Sequence, residues 1–176
     1  SGDAGDEIFG GYNRYVFAQK MFGKVRKIPI AIRQLMSKTI FSMTEEKLDK
    51  LLNVFVSKSY TNIGHKLHKV AGVLSSESIS ELHFKLVSQI HNPTNWLLDT
   101  NEHKTLFNDG VSRFDELDPV EKMMAYDLIT YLPTDILTKV DRAAMAVSLE
   151  TRIPFLDPDV IRFSASLPLE FKIRNG

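Results

Sequence analysis

Apolar residues recur at intervals of three and four along most of this chain, a spacing typical of helices that bury one face. The segment from Glu7 to Phe22 shows it first, and Gly23 with the basic residues after it marks its predicted end. Strand-like alternation is scarce, and EFKIR at residues 170–174 is its one modest candidate. The pattern therefore predicts a mainly helical chain.

Capping residues and prolines divide this pattern into separate helices. Ser42 with Glu45, and Ser78 with Glu81, have the spacing of a capping box at the start of a helix. Pro133 should interrupt a helix, because it lacks the N–H group that a helix needs and its ring crowds the preceding turn. The expected helical segments are residues 7–22, 29–41, 42–55, 62–74, 78–87, 118–132, 134–148 and 157–167.

The composition indicates a soluble globular protein. The 176 residues fit one domain, and 43% are hydrophobic and 25% charged. Lys plus Arg and Asp plus Glu both number 22, so no net charge attracts the chain to nucleic acid or to an anionic membrane. Cys is absent, which excludes disulfides and thiolate metal sites and favours a cytoplasmic setting. No apolar run approaches the roughly 20 residues of a transmembrane helix.

The chain begins with Ser-Gly-Asp-Ala-Gly-Asp-Glu, which combines backbone accessible to a ligand with negative charge. Gly2 and Gly5 leave room beside the main chain, and the N–H groups of a following helix favour phosphate. Asp3, Asp6 and Glu7 would repel phosphate unless Mg²⁺ lay between them. The segment is therefore expected to be a nucleotide–metal site at a strand-to-helix junction, or else a plain acidic helix cap.

Two segments carry a family resemblance. SGDAGDEIFGGYNRY, residues 1–15, resembles the Ser-Gly-acid-x-x-Asp-Glu-x-x-Gly-Gly-Tyr motif of the glutamine-hydrolysing asparagine synthetases. YLPTDILTKVDRAAMAVSLETRIPFLDPDVIRFSASLPLEFKIRNG, residues 131–176, resembles the family's stretch from Leu-Pro-x-Asp-x-Leu through Leu-Glu-x-Arg-x-Pro-Phe-Leu-Asp. The segments occur in the family's order and cover about a third of the chain, whereas residues 16–130 carry nothing distinctive.

The resemblance implies a particular fold class. Residues 1–176 would be the mainly helical C-terminal portion of an α/β adenine-nucleotide α-hydrolase-like synthetase domain of the ATP-pyrophosphatase type, with most of its parallel sheet missing. The family's pyrophosphate-binding Ser-Gly-Gly-x-Asp-Ser loop does not occur in this sequence, nor does an N-terminal glutaminase domain. The chain is therefore expected to be an excised fragment that is inactive alone.

The resemblance also implies a reaction. ATP would convert the side-chain carboxylate of aspartate to β-aspartyl-AMP with release of pyrophosphate, assisted by Mg²⁺. Ammonia from a glutaminase domain of the same full-length chain would then displace AMP and give asparagine. The resemblance leaves a homodimer open. Two alternatives stay open as well: a related amidotransferase acting on another carboxylate, for example in surface polysaccharide biosynthesis, or a non-catalytic helical interaction module.

Site residues follow from the matched positions of the first motif. Ser1 and Gly2 resemble nucleotide-contacting positions, and Asp3 takes the place of the acid important for forming the acyl-adenylate. Asp6 and Glu7 are assigned to the metal–pyrophosphate group. The sequence departs from the family's pattern where Ala4 replaces the usual Gly and where the motif acid, Asp3, is often Glu; the shorter Asp alters its reach.

A second charged set lies in the otherwise apolar segment after Pro133. Lys139 or Arg142 is expected to face the anionic end of the active site, where charge develops as pyrophosphate leaves, and Arg142 is the catalytic candidate. Glu150 and Arg152 would organise the site wall. The alternative is a buried ion-pair network that fixes two helices, with Glu150 paired to Arg152 or Arg142. Residues 154–156 are expected to be a hydrophobic anchor, with Asp157 capping the next helix.

Overall fold

The computed structural model describes residues 2–52, 63–88, 90, 97–98, 105–107 and 114–174. In these ranges the backbone forms helices and turns and no strand, so the prediction of a mainly helical chain is confirmed. The chain divides into two compact units. Ser1–Gln19 with His103–Gly176 forms the first, and Lys20–Glu102 forms the second.

The described elements, in chain order, are the helices α1 (Gly5–Phe9), α2 (Asn13–Val25), α3 (Ile30–Phe41), α4 (Glu45–Leu52), α5 (Ile63–Leu74), α6 (Ile79–Val87) and α7 (Pro119–Ile129), a π-helical turn (Leu132–Ile136), α8 (Leu137–Met145), a 3-10 turn (Pro154–Leu156), α9 (Pro158–Ser166) and α10 (Leu169–Lys172). Helix α2 begins in the first unit and continues into the second. Helices α3 to α6 belong to the second unit, and the elements from α7 onward belong to the first.

The single helix expected over residues 7–22 is wrong, because two glycines divide it. Gly10 caps α1 with φ of 73°, a left-handed conformation that glycine adopts without strain. The N–H groups of Gly10 and Gly11 both donate to the carbonyl of Asp6, and this turn closes α1 after five residues. A side chain at Gly10 would also lie 2.8 Å from Cδ1 of Ile173.

Most of the other predicted helix starts are confirmed. Ser78 Oγ accepts a hydrogen bond from Glu81 N at 3.1 Å, and Asp118 begins α7 with a complete capping box. The cap assigned to Ser42 is wrong, because Ser42 follows the last residue of α3 and its hydroxyl donates to Thr39 O at 2.7 Å. Thr44 begins α4 instead, since its Oγ1 accepts from Lys47 N at 3.4 Å.

The C-terminal part differs from expectation at two places. Residues 169–172 form a short helix in place of the candidate strand, with Phe171 N donating to Pro168 O at 3.0 Å and Ile173 N to Leu169 O at 2.8 Å. Local hydrogen bonds therefore satisfy backbone that a strand would have had to pair with a neighbour. Around Pro133 the chain continues through the π-helical turn, a wider coil that sequence periodicity does not predict.

In the first unit, α1 packs against α7 and α9. Ile8 is buried among these helices, and the buried Ser164 of α9 donates its hydroxyl to Ile8 O at 2.5 Å. In the second unit, the buried guanidinium of Arg33 donates to Leu74 O at 3.0 Å and to Ser76 O at 2.6 Å, which ties α3 to the end of α5. Both units therefore use buried side-chain donors on backbone carbonyls to fix helix positions.

Candidate functional site

The turn before α1 is open to solvent at its start and buried at its end. Gly2 is exposed, and a side chain added there would meet no atom within 4 Å. Asp3 is half-buried, whereas Ala4 is buried and has φ of 70°. Ala4 thus holds a left-handed conformation that strains any residue with a Cβ, which is a physical reason for the family's usual Gly at this position. Ser1 lies outside the described residues.

The carboxylate of Asp6 is exposed, and the glycine turn holds its residue in place. Its carbonyl accepts the two N–H groups of Gly10 and Gly11, and its side chain lies against Gly11. Helix α1 is short, so its dipole is weaker than that of the long helix expected from the sequence. Any attraction of this segment for a charged ligand would therefore depend on its side chains more than on a helix dipole.

Glu7, the neighbour of Asp6, faces the protein interior. It is 2% exposed, and the hydroxyl of Tyr12 donates to its Oε1 at 2.7 Å. Burial raises the pKa of Tyr12, and the hydrogen bond to Glu7 and the negative charge of Glu7 raise it further. This environment favours a structural role for Glu7 over the metal–pyrophosphate contact expected from the sequence.

A second carboxylate, Asp127 of α7, is fully buried beside the same motif. The hydroxyl of Tyr15 donates to its Oδ2 at 2.5 Å, and Arg14 donates to the same oxygen from Nη2 at 2.7 Å and from Nε at 3.3 Å. The Arg14 guanidinium also lies 3.8 Å from the ring centre of Tyr12. We call Glu7, Tyr12, Arg14, Tyr15 and Asp127 the buried tyrosine–carboxylate cluster.

Hydrogen bonds stabilise the charges of this cluster. Burial raises the pKa of Tyr15, and the charge of Asp127 and its hydrogen bond add to the rise, so the phenol stays a donor. Burial of Arg14 by itself favours the neutral form, but the hydrogen bond to Asp127 and the charge of Asp127 raise the pKa of Arg14 above its ordinary value. Asp127 therefore accepts from a cation and from a neutral donor, as a buried carboxylate requires.

Sequence reasoning missed this cluster. Arg14 and Tyr15 do belong to the quoted N-terminal motif, as its Asn-Arg-Tyr ending, but their spacing gives no sign of a buried partner. Asp127 lies 112 positions away from Tyr15 in a helix that looks ordinary in the sequence. The one signal that could have pointed to it is a carboxylate set among apolar residues in the second half of α7.

The structure brings the two quoted motifs together. The ring of Phe155 lies 6.0 Å from that of Phe9 in an edge-to-face arrangement, and it also packs beside Gly5 of α1. This contact confirms residues 154–156 as a hydrophobic anchor. Asp157 Oδ1 accepts from Asp159 N at 2.8 Å, which confirms Asp157 as the cap of α9.

The charged set predicted between Lys139 and Arg152 lies on the surface. Lys139 pairs with Asp135 at 2.7 Å, and this hydrogen bond raises the pKa of Lys139. Glu150 pairs with Arg152 at 2.6 Å, but their side chains are 71% and 84% exposed. The alternative of a buried network is therefore wrong about burial, although it named the Glu150–Arg152 pair. Arg142 is exposed on α8.

An open cleft of about 480 Å³ lies beside these charges. Arg152 lines it together with Asp141 of α8, and apolar side chains of Leu137, Val140 and Ile153 form much of the remaining wall. Lys139, Arg142 and Glu150 do not line it. Of the predicted set, Arg152 therefore lines this cleft and the other three residues do not.

Comparison with known proteins gives the context for this arrangement. All of residues 1–176 match the family described as Asparagine synthase. The chain belongs to the Asparagine synthase family. The resemblance carried by the two motifs therefore holds across the whole chain, including residues 16–130, where the sequence showed nothing distinctive.

Curated relatives are asparagine synthetases. The chain is 32% identical over 178 aligned residues to "Asparagine synthetase [glutamine-hydrolyzing] 1" of Bacillus subtilis, and the match covers 100% of this chain and 26% of that protein. It is 52% identical over 56 residues to a "Putative asparagine synthetase [glutamine-hydrolyzing]" of Mycobacterium tuberculosis, covering 32% of this chain and 9% of that protein. The chain thus spans about a quarter of the Bacillus relative. No solved structure matches significantly.

Two further features concern the part of the chain that the structure describes. No group of three or more His, Cys, Asp or Glu side chains there is arranged to hold a metal ion. None of the helices there combines the length and the apolar character that crossing a membrane requires. Of the carboxylates in the N-terminal motif, Asp6 is exposed, Asp3 is half-buried and Glu7 is buried.

Proposed function

We propose that this chain is part of an ATP-dependent amide ligase that converts aspartate to asparagine through β-aspartyl-AMP, with ammonia from glutamine and release of AMP and pyrophosphate. One observation carries the proposal. The motif that resembles the nucleotide-binding segment of asparagine synthetases forms an open turn followed by α1, with Gly2 of the turn and Asp6 of α1 exposed to solvent. The whole-chain match to the Asparagine synthase family supports it.

The proposed roles follow the matched motif positions and, for residues 2–7, their exposure. Ser1 and Gly2 contact the nucleotide, for which the open space at Gly2 is suitable. Asp3 acts in forming the acyl-adenylate, and Asp6 faces the Mg²⁺–pyrophosphate group. Mg²⁺ is commonly bound by one or two carboxylates plus substrate phosphates, so these residues fit it without a three-ligand protein site. The buried Glu7 holds the motif in place from inside.

An exposed cation of α8 completes the proposed site. Lys139 or Arg142, both exposed on α8, faces the anionic products, where the guanidinium of Arg142 would suit the paired oxygens of phosphate. The parallel sheet, the pyrophosphate-binding loop and the glutaminase domain would come from other parts of a longer cytoplasmic protein. The match to only 26% of the Bacillus relative supports this division. The 176-residue chain alone is expected to release no pyrophosphate from ATP, and measurable release would contradict this.

The test uses the full-length protein that contains this chain, with aspartate, glutamine and Mg-ATP. Asp3→Ala and Asp6→Ala should each lower asparagine formation by about 100-fold or more, because each removes a group that acts on the reacting atoms. The loss in Asp6→Ala should depend on Mg²⁺ concentration. Asp159→Ala is the matched control and should retain activity, because it removes an exposed carboxylate of α9 that forms an ion pair with Arg162.

Asparagine formation that is unchanged in both variants would refute these roles. Robust ATP-dependent pyrophosphate release with a different carboxylate, and none with aspartate, would identify the related amidotransferase instead. If the full-length protein binds no ATP at all, the non-catalytic module is the better description.

A further inference from the structure

Gly11 follows the left-handed Gly10, yet its own backbone has no positive φ that would call for glycine. Lack of space for a side chain, and not the backbone conformation, restricts position 11 to glycine. A Cβ built on Gly11 would overlap Oδ1 of Asp6, and it would lie 3.0 Å from Cγ and 3.3 Å from Cα of the same residue. The Asp6 carboxylate thus occupies the space that any side chain at position 11 would need.

Other glycines of the described chain behave differently. A side chain at Gly2 or at Gly23 would meet nothing within 4 Å, and one at Gly10 would meet the flexible end of Ile173. Among the glycines whose surroundings the structure gives, Gly11 is the one whose missing side chain leaves space for a carboxylate. The turn also fixes the main chain of Asp6, because the N–H of Gly11 donates to its carbonyl at 3.0 Å.

We propose that Gly11 is a positioning residue that holds the Asp6 carboxylate in the orientation needed to face Mg²⁺–pyrophosphate. This inference rests on the proposed function. Asp6 is exposed, so water by itself would leave its side chain free to change rotamer. Contact with the bare Gly11 main chain, together with the shared hydrogen bond to the Asp6 carbonyl, selects one orientation of the carboxylate before any ligand arrives.

Substitution by alanine separates positioning from folding. The main-chain conformation at position 11 is open to alanine, and the atom in closest conflict is the end of an exposed side chain. Gly11→Ala should therefore turn the Asp6 carboxylate away while the fold persists. Misplacement of a reacting group by about 1 Å lowers rates by as much as 100-fold, so the expected loss of pyrophosphate release is about 10- to 100-fold.

The experiment compares four variants of the full-length protein: Gly11→Ala, Asp6→Ala, the double variant and Gly23→Ala. Gly23 lies in α2 with open space around it, so its alanine variant is the matched control and should keep wild-type activity. Two quantities are measured. The first is ATP-dependent pyrophosphate release, and the second is Mn²⁺ binding in the presence of ATP, detected as loss of the electron paramagnetic resonance signal of free Mn²⁺. Gly11→Ala should raise the half-saturating Mn²⁺ concentration, and the double variant should resemble Asp6→Ala in both readouts.

Each outcome has a distinct meaning. If Asp6→Ala loses activity and Gly11→Ala does not, the positioning role is overturned and the proposed function stands. If the losses multiply in the double variant, Gly11 acts independently of Asp6 and the inference is again overturned. If Asp6→Ala keeps full activity, the role of Asp6 in the proposed function fails, and the positioning role fails with it.

Thermal unfolding tests the contact even if Gly11→Ala proves unstable. Removal of the Asp6 carboxylate should relieve the overlap, so the fall in Tm caused by Gly11→Ala should be smaller in an Asp6→Ala background than in the wild type. Equal falls in both backgrounds would show that the carboxylate does not occupy this space, and would overturn the inference without any activity measurement.

Discussion

Two charged regions of the first unit contain the same kinds of side chain in opposite environments. In the buried tyrosine–carboxylate cluster, Asp127 is fully buried and receives hydrogen bonds from Arg14 and Tyr15. In the surface set, Glu150 and Arg152 form an equally short ion pair, but water reaches most of both side chains. An exposed ion pair contributes little to the free energy of unfolding because water screens it. In the interior, loss of one partner leaves the other charge buried and unpaired, which is strongly destabilising.

The largest expected effect comes from breaking the buried region at its centre. Asp127→Ala should lower the free energy of unfolding by about 3 to 5 kcal/mol, because it leaves the Arg14 guanidinium without its carboxylate. Denaturant unfolding followed by circular dichroism measures this. Asp127→Asn, which keeps the shape and an acceptor oxygen, should show a smaller loss. If Asp127→Ala lowers the free energy of unfolding by less than about 1 kcal/mol, the cluster contributes no more to stability than an ordinary surface ion pair.

Tyr15→Phe should have the next largest effect, about 1 to 3 kcal/mol near neutral pH, because one buried acceptor loses a donor. The difference in the free energy of unfolding between wild type and Tyr15→Phe should change with pH in the alkaline range. Since the folded-state pKa of Tyr15 lies above its unfolded value of about 10, this phenol stabilises the fold fully below pH 10 and less as pH rises beyond it. The difference in the free energy of unfolding between wild type and Tyr15→Phe should therefore become smaller above pH 10.

Unfolding measurements at pH 8 and at pH 11 check that sign. A gap that stays constant between the two values would show that Tyr15 titrates alike in the folded and unfolded chains. Tyr12, whose pKa is also raised, remains in both proteins and contributes the same alkaline slope to each, so it does not confuse the comparison.

The contrast between these regions also shows what the sequence can predict. Periodicity and capping are local, so the starts of α3, α6, α7 and α9 followed from short stretches. Burial of a charge depends on distant residues, and nothing near Asp127 in the sequence indicates that Arg14 and Tyr15 meet it. The family motif pointed to the exposed Asp6 but gave no reason to separate it from the buried Glu7.

The division between Asp6 and Glu7 depends on the chain after α1. Local periodicity favoured one long helix, but the turn at Gly10 and Gly11 redirects the chain so that Tyr12 reaches Glu7. Ile173 packs beside Gly10, so part of the reason for this turn lies at the opposite end of the chain. The sequence thus indicated candidate carboxylates for the site, which stay a prediction, whereas the environment of each carboxylate required the fold.

The surface region should respond weakly to the same kind of change. Arg152→Ala should alter the free energy of unfolding by less than about 1 kcal/mol, because its pair with Glu150 is largely exposed. Comparison of unfolding in 0.1 M and 1 M salt checks the cause, since high salt should remove any contribution of this pair in the wild type. If Arg152→Ala lowers the free energy of unfolding nearly as much as Asp127→Ala does, the exposure of an ion pair does not predict its contribution to the stability of this protein.

The smallest effect is expected at a buried position without charge. Ala4 is 1% exposed and left-handed, so Ala4→Gly should relieve about 1 to 2 kcal/mol of backbone strain. Loss of a buried methyl group costs about 0.8 kcal/mol and greater freedom of the unfolded chain about 0.4 to 1 kcal/mol, so the opposing effects nearly cancel. Ala4→Val, which is bulkier and β-branched, should be clearly destabilising by the same unfolding assay. Ala4 and Asp127 are equally buried. If Ala4→Gly leaves the free energy of unfolding nearly unchanged and Asp127→Ala lowers it strongly, the loss in Asp127→Ala comes from the unpaired charge and not from burial alone.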